Sequence, residues 1–165
     1  MSLSIRHESA GDEQAIHDLT VVAFTPVPQS DGAEAPIVAA LRESGALTIS
    51  LVAVDGPEIV GHIAFSPVTA GTDAEGWYGL GPVSVHPDRQ GQGIGGAMIE
   101  EGLALLRGRD AKGCVLVGDP AYYSRFGFRS DGAVSYGDVP VKYVQWLALR
   151  EVTPSGELRY DPAFG

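Results

Sequence analysis

The chain has 165 residues, 44% of them hydrophobic and 19% charged, which is enough to bury a core and excludes a disordered chain. Eleven Lys and Arg stand against 21 Asp and Glu, a net charge of −10. This works against nucleic acid or an anionic membrane as a partner held by bulk electrostatics; it mildly favours a cationic acceptor such as an amine, although surface carboxylates also serve solubility alone.

The opening MSLSIRHESAGDEQ lacks the basic stretch and apolar run of a signal peptide. The apolar runs Ile59–Phe65 and Val144–Leu149 fall far short of a membrane span, so a cytoplasmic location is expected. Cys114 is the sole cysteine, which excludes an intramolecular disulfide. His7, His17, His62 and His86 are scattered without ligand spacing, and no metal is expected.

Ile5–His7 reads as a first strand, and Gly11-Asp12-Glu13 opens a helix toward Phe24 with Ile16, Leu19, Val22 and Ala23 on one face. A second helix is expected over Glu34–Ser44, carrying Ile37, Val38 and Leu41 and stopped by Gly45. Leu47–Val54 and Glu58–Val68 are β-rich runs joined by the turn signal Asp55-Gly56-Pro57, and Gly76–Val85 is a further strand. The helix Ile94 to Arg107 is the most clearly amphipathic, with Ile94, Met98, Ile99, Leu103, Leu105 and Leu106 in one arc. Cys114–Val117 reads as a strand buried on both faces, Ala121–Phe126 as a helical turn, and Val141–Leu149 as a last strand before a Pro/Gly-punctuated tail. This order predicts one mixed α/β domain over residues 1–165, with a parallel pair made by the strand-helix-strand run Gly76–Val117.

Four glycines lie within the six residues Gly91–Gly96, directly before that helix. They let backbone approach a ligand closely. The first helical turn offers N–H groups without internal partners, at the positive end of the helix dipole. Together these make a site for phosphate, with Arg89 as a charge at its rim. Gly91-Gln92-Gly93-Ile94-Gly95-Gly96 also fits the dinucleotide fingerprint G-x-G-x-x-G, with Asp119 after the next strand. Against that reading, His86-Pro87-Asp88-Arg89-Gln90 separate the turn from its strand, and too few residues follow for a dinucleotide fold.

Gln90-x-x-Gly93-x-Gly95, preceded by Val83-Ser84-Val85-His86-Pro87, resembles the acetyl-CoA-binding motif of the GNAT N-acetyltransferase superfamily. Tyr122-Tyr123-Ser124-Arg125-Phe126-Gly127-Phe128 resembles that family's second motif, a Tyr four residues before Gly-Phe. The resemblance implies the acyl-CoA N-acyltransferase fold: a mixed, mostly antiparallel twisted sheet with a central splayed parallel pair, flanked by helices. It implies acetyl-CoA as co-substrate and transfer to a primary amine in a ternary complex. It places the CoA pyrophosphate on the amides of Gln90, Gly91, Gly93, Gly95 and Gly96, with Gln92 and Ile94 also in the cofactor site and Arg89 at the edge. The pantetheine arm would lie along Val83, Ser84 and Val85, near Asp119 and Tyr122. A homodimer is also a family-level expectation.

The chemistry asks for a donor to the developing oxyanion, for which the Val83 amide is the candidate, and an acid beside the leaving sulfur; the resemblance puts Tyr123 there, four residues before Gly127, with Tyr122 as the competitor by adjacency. Gly81-Pro82 within the strand fits a bulge that frees backbone groups there. Some family members carry a His or Glu base on this strand; here Gly81 and Gly79 hold those positions. His62, Glu75 or Asp119 acting through water, and solvent itself for a weakly basic amine are the alternatives, His62 reading first as structural, and His86 as packing or capping. Cys114 reads as a buried small hydrophobe. An acyl-CoA-binding module without turnover, or a dinucleotide-dependent oxidoreductase, are the competing functions.

Overall fold

The computed structural model describes residues 3–165; Met1 and Ser2, where the segment read for a signal begins, lie outside the described residues. The chain divides into two units, one built from Met1–Phe65, Gly81–Gly102 and Ala163–Gly165, the other from Ser66–Leu80 and Leu103–Pro162.

In the first unit, β1 (Leu3–His7) pairs antiparallel with β2 (Ile49–Asp55), Ile5 opposite Ala53. The turn at Gly56-Pro57 returns the chain as β3 (Glu58–Pro67), antiparallel to β2 with Val52 opposite His62. The helix α1 (Glu13–Phe24) buries Ile16, Leu19, Thr20 and Ala23. Val22, expected on that face, is 44% exposed, because it lies well round the wheel from Ile16 at 100° per residue. Thr20 takes the place, burying its hydroxyl by donating to Ile16 O at 2.7 Å. In α2 (Glu34–Ser44), Ala35, Val38 and Leu41 are buried, and left-handed Gly45 caps the end with its N–H on Leu41 O and Arg42 O. Ile37 is only half-buried. Ile16, Val38 and Val52 form one core cluster.

The helix α3 (Ile94–Gly108) seats its first turns on β3. A Cβ at Gly61 would stand 3.0 Å from both Ile94 Cγ2 and Met98 Cε, and one at Gly102 would meet the Phe65 ring. Glycine at these points lets helix and strand approach closely.

In the second unit, Trp77, Tyr78 and Gly79 of β5 (Trp77–Val85) pair parallel with Gly113, Cys114 and Val115 of β6 (Gly113–Val117), and the ladder ends there. On its other side β6 pairs antiparallel with β8 (Val144–Ala148). Cys114, Val115 and Leu116 are buried as expected, whereas Val117 is 43% exposed. Pro140 leads into a 3-10 turn over Val141–Tyr143, so the last long strand begins later than predicted, at Val144. The tail also departs from expectation. Its Gly156–Arg159 forms β9, which pairs antiparallel with β4 (Thr69–Ala70) and parallel with β7 (Val134–Ser135). Val68, Ala70, Trp77, Val115, Val134, Val144, Trp146 and Leu158 make the core of this unit. Its two indoles are satisfied, Trp77 Nε1 donating to Asp73 at 3.1 Å and Trp146 Nε1 to Asp131 at 2.8 Å.

No helix among the described residues is long and apolar enough to cross a membrane. The architecture is the expected mixed α/β one, mostly antiparallel with a parallel strand pair.

Candidate functional site

The glycine-rich turn joins β5 to α3 in the first unit. His86 Nδ1 accepts from Asp88 N at 3.1 Å and caps a 3-10 turn over Pro87–Arg89. Gly91 and Gly93 then adopt φ of +78° and +83°, a region closed to most side chains. A Cβ at either would project into open space. At the head of α3, Ala97 N donates to Gly93 O at 3.0 Å, so the amides of Ile94, Gly95 and Gly96 precede the first intrahelical bond. Gln90, Gly91, Gln92 and Gly93 are exposed, Gly95 and Gly96 half-buried, and Ile94 buried as the anchor of the turn. Backbone donors on an exposed turn at a helix N-terminus are of the kind that suits a phosphate group.

Arg89 sits differently from a free rim charge. Its Nη1 donates to Asp55 at 2.9 Å and its Nε to Gln92 Oε1 at 3.2 Å. It ties the turn to the end of β2. Upstream, Gly81 has φ +138° before a cis peptide to Pro82. Val83 and Val85 are half-buried and Ser84 fully buried. Gln90 Nε2 donates to Val85 O at 3.1 Å, fastening the turn to its strand.

In the second unit, Asp119 caps α4 (Pro120–Tyr123), its carboxylate accepting from Ala121 N at 2.9 Å with Pro120 in the first turn. Its role here is to start the helix that carries the tyrosines. Tyr123 packs edge-on to Tyr122 at 5.0 Å and to Phe128 at 6.1 Å. A Cβ at Gly118 would lie 2.7 Å from the Tyr123 ring, so glycine there makes the room. Burial pushes the Tyr123 hydroxyl up to about 12, and it stays protonated throughout the neutral range. The Arg125 guanidinium lies 4.4 Å over the Tyr122 ring, holding that tyrosine by a cation–π contact.

Gln145, which the sequence reading passed over, supports this corner. It is fully buried and donates from Nε2 to Gly118 O at 2.8 Å. A glutamine inside the otherwise apolar run of β8 was the available signal.

The strand position Gly79, where some family members carry a base, is closed here: a Cβ would stand 2.7 Å from Tyr160 Cε2 and 2.9 Å from Val68 Cγ2. His62 lies at the end of a polar chain in the first unit. Arg42 grips Glu8 through Nε at 2.8 Å and Nη2 at 3.0 Å. Ser50 Oγ donates to Glu8 Oε1 at 2.6 Å and lies 2.8 Å from His62 Nε2. Burial holds His62 down at about 4, the Arg42 charge adding to this and Glu8 opposing it. Burial alone would raise the Glu8 carboxyl, yet the Arg42 and Ser50 hydrogen bonds outweigh it and keep it below the usual range.

A stability consequence follows from the sign. Between about pH 6.5 and about pH 4 the unfolded chain binds a proton at His62 and the folded chain does not, so stability falls on acidification, by about 3 kcal/mol in all. Thermal melts of wild type and His62→Phe across that window are expected to diverge, the variant losing less stability. Parallel curves would refute the assignment.

Comparison with known proteins places this arrangement. The profile of the acetyltransferase (GNAT) domain matches residues 47–130, just over half of the chain. The chain belongs to the GNAT acetyltransferase family. It is 43% identical over 97 residues to the uncharacterized N-acetyltransferase YhbS of Escherichia coli strain K12, a match that spans 58% of this chain and 58% of that relative. Among solved structures, a GNAT family acetyltransferase from Brucella melitensis in complex with acetyl-CoA is 49% identical, with a TM-score of 0.89 and 99% of each chain covered. YhbS from Escherichia coli in complex with CoA is 32% identical, with a TM-score of 0.90, covering 98% of this chain and 91% of that one. The fold is that of the acyl-CoA N-acyltransferases.

Proposed function

We propose that this protein transfers the acetyl group of acetyl-CoA to a primary amine by direct attack within a ternary complex, residues 1–165 acting as one catalytic domain in the cytoplasm. The observation that carries the reading is the turn at Gly91 and Gly93, whose left-handed glycines open the way to the leading amides of α3. The pyrophosphate binds there, and the pantetheine arm follows the backbone of Val83 and Val85. The Val83 amide receives the developing oxyanion. Tyr123 gives its proton to the departing thiolate, a task suited to a hydroxyl held in its protonated form.

The net charge of −10 favours approach of a cationic amine. The CoA-bound relatives support the co-substrate, each for its own chain. Calorimetric titration with acetyl-CoA and NADH in parallel tests the reading. Acetyl-CoA is expected to bind at micromolar strength and NADH not to bind. Heat from NADH alone would restore the dinucleotide reading. Binding of acetyl-CoA without turnover of any amine would leave a binding module.

A further inference from the structure

The polar chain ending at His62 has a direction. Ser50 has one hydroxyl proton, and the Glu8 carboxylate at 2.6 Å can only accept it. Ser50 Oγ therefore accepts at 2.8 Å from a protonated His62 Nε2. The neutral ring then carries a bare lone pair on Nδ1. His62 is fully buried, and among the described residues its Nδ1 has no hydrogen-bond partner. A buried acceptor left in this state is costly unless something donates to it.

A second buried polar atom stands in the same unit. Ser84 is 1% exposed and its Oγ also has no partner among the described residues. The bond from His86 N to Val60 O, 2.9 Å, fixes the pairing of this end of β5 with β3. Two residues further along each antiparallel strand, Ser84 and His62 fall opposite one another on the same face. Ser84 is the residue after Val83, whose amide is assigned to the oxyanion. At the outer end of the chain, the Glu8 side chain is 15% exposed and reaches solvent beside Arg42.

We infer that Ser84, His62, Ser50 and Glu8 form a proton relay that deprotonates the acceptor ammonium, with His62 as its central positioning residue. The inference rests on the acetyl-transfer reading. The ammonium N–H bond breaks and its proton passes from the Ser84 hydroxyl to His62 Nδ1 across one intervening water, the two atoms not being bonded to each other directly. The Nε2 proton moves to Ser50, whose own proton passes to Glu8 and leaves to water. One proton enters and one leaves, so the imidazole never has to retain charge. This agrees with a ring kept neutral at pH 7 by its burial and by Arg42, the Glu8 charge opposing them. With Gly79 and Gly81 in place of a base on β5, this route supplies the missing proton acceptor from the neighbouring strand.

Two measurements test the relay. Nitrogen-15 spectra of ring-labelled histidine are expected to show His62 protonated at Nε2 and bare at Nδ1; the opposite tautomer overturns the relay. Steady-state acetylation of a screened primary amine is then compared for wild type, His62→Phe and Ser50→Ala from about pH 7 to about pH 10. Ser50→Ala leaves the ring and its packing in place. Both variants are expected to lose about 10- to 100-fold in kcat at pH 7, and acetyl-CoA affinity to stay within about twofold of wild type. Above the pKa of the amine, which then arrives neutral, the deficit should close. A deficit equal at every pH marks a structural role and overturns the relay. A wild type that binds acetyl-CoA yet acetylates no amine removes the proton source and the relay with it. Failure of the wild type to bind acetyl-CoA instead strikes the proposed function, and the tautomer still reports on the relay separately.

Discussion

Tyr123→Phe is expected to lower kcat for acetyl transfer by about 100-fold while leaving the acetyl-CoA dissociation constant within about twofold. The substitution removes one oxygen and keeps the ring, so the edge-on contacts to Tyr122 and Phe128 survive. Its cost therefore falls on the thiolate that must leave unprotonated. The same logic sets the control: Tyr122→Phe, whose ring is held by Arg125, should change kcat by less than about threefold. If the two variants behave alike, the acid lies elsewhere. The wild-type rate should show no loss at moderately alkaline pH from Tyr123 itself, since burial carries its ionisation up to about 12.

Gly93→Val is expected to weaken acetyl-CoA binding by about 100-fold or more. Two effects combine. A β-branched residue at φ +83° strains the turn, at roughly 1–2 kcal/mol. Its side chain would also project into the open space above the turn, where the proposed pyrophosphate has to sit. Because that space holds no protein atom, the fold itself should absorb the change with a modest fall in Tm. Calorimetry beside a thermal melt separates the two effects. Unaltered affinity would mean that the pyrophosphate binds away from this turn.

The sequence made the helix at Ile94–Gly108 readable because its apolar residues recur at helical spacing, and glycines crowd only its entrance. The Tyr123 motif was readable from its distance to Gly127-Phe128. The small sheet of β4, β9 and β7 was not, because strands of two to four residues are too short to display a period of two. Thr20 was missed since its hydroxyl is satisfied within its own helix, so a polar residue occupies an apolar face. The Glu8–Ser50–His62 chain depends on β1, β2 and β3 being laid side by side. No local spacing announces residues 42 and 12 positions apart as neighbours. Arg89 shows the same limit: its motif suggested a phosphate contact, while its Asp55 partner is 34 residues away. The filling of the Gly79 position by Tyr160 depends likewise on a residue from the tail.

Cys114, the chain's single thiol, is fully buried in β6, and burial pushes its ionisation far up. Thiol reagents act on exposed thiolate, so the folded protein is silent toward them. In a reaction mixture free of added reductant, chromogenic thiol capture then counts released CoA alone, one event per acetyl transferred. Unfolding the same sample afterwards adds one equivalent per polypeptide, and a single cuvette yields both product and enzyme concentration.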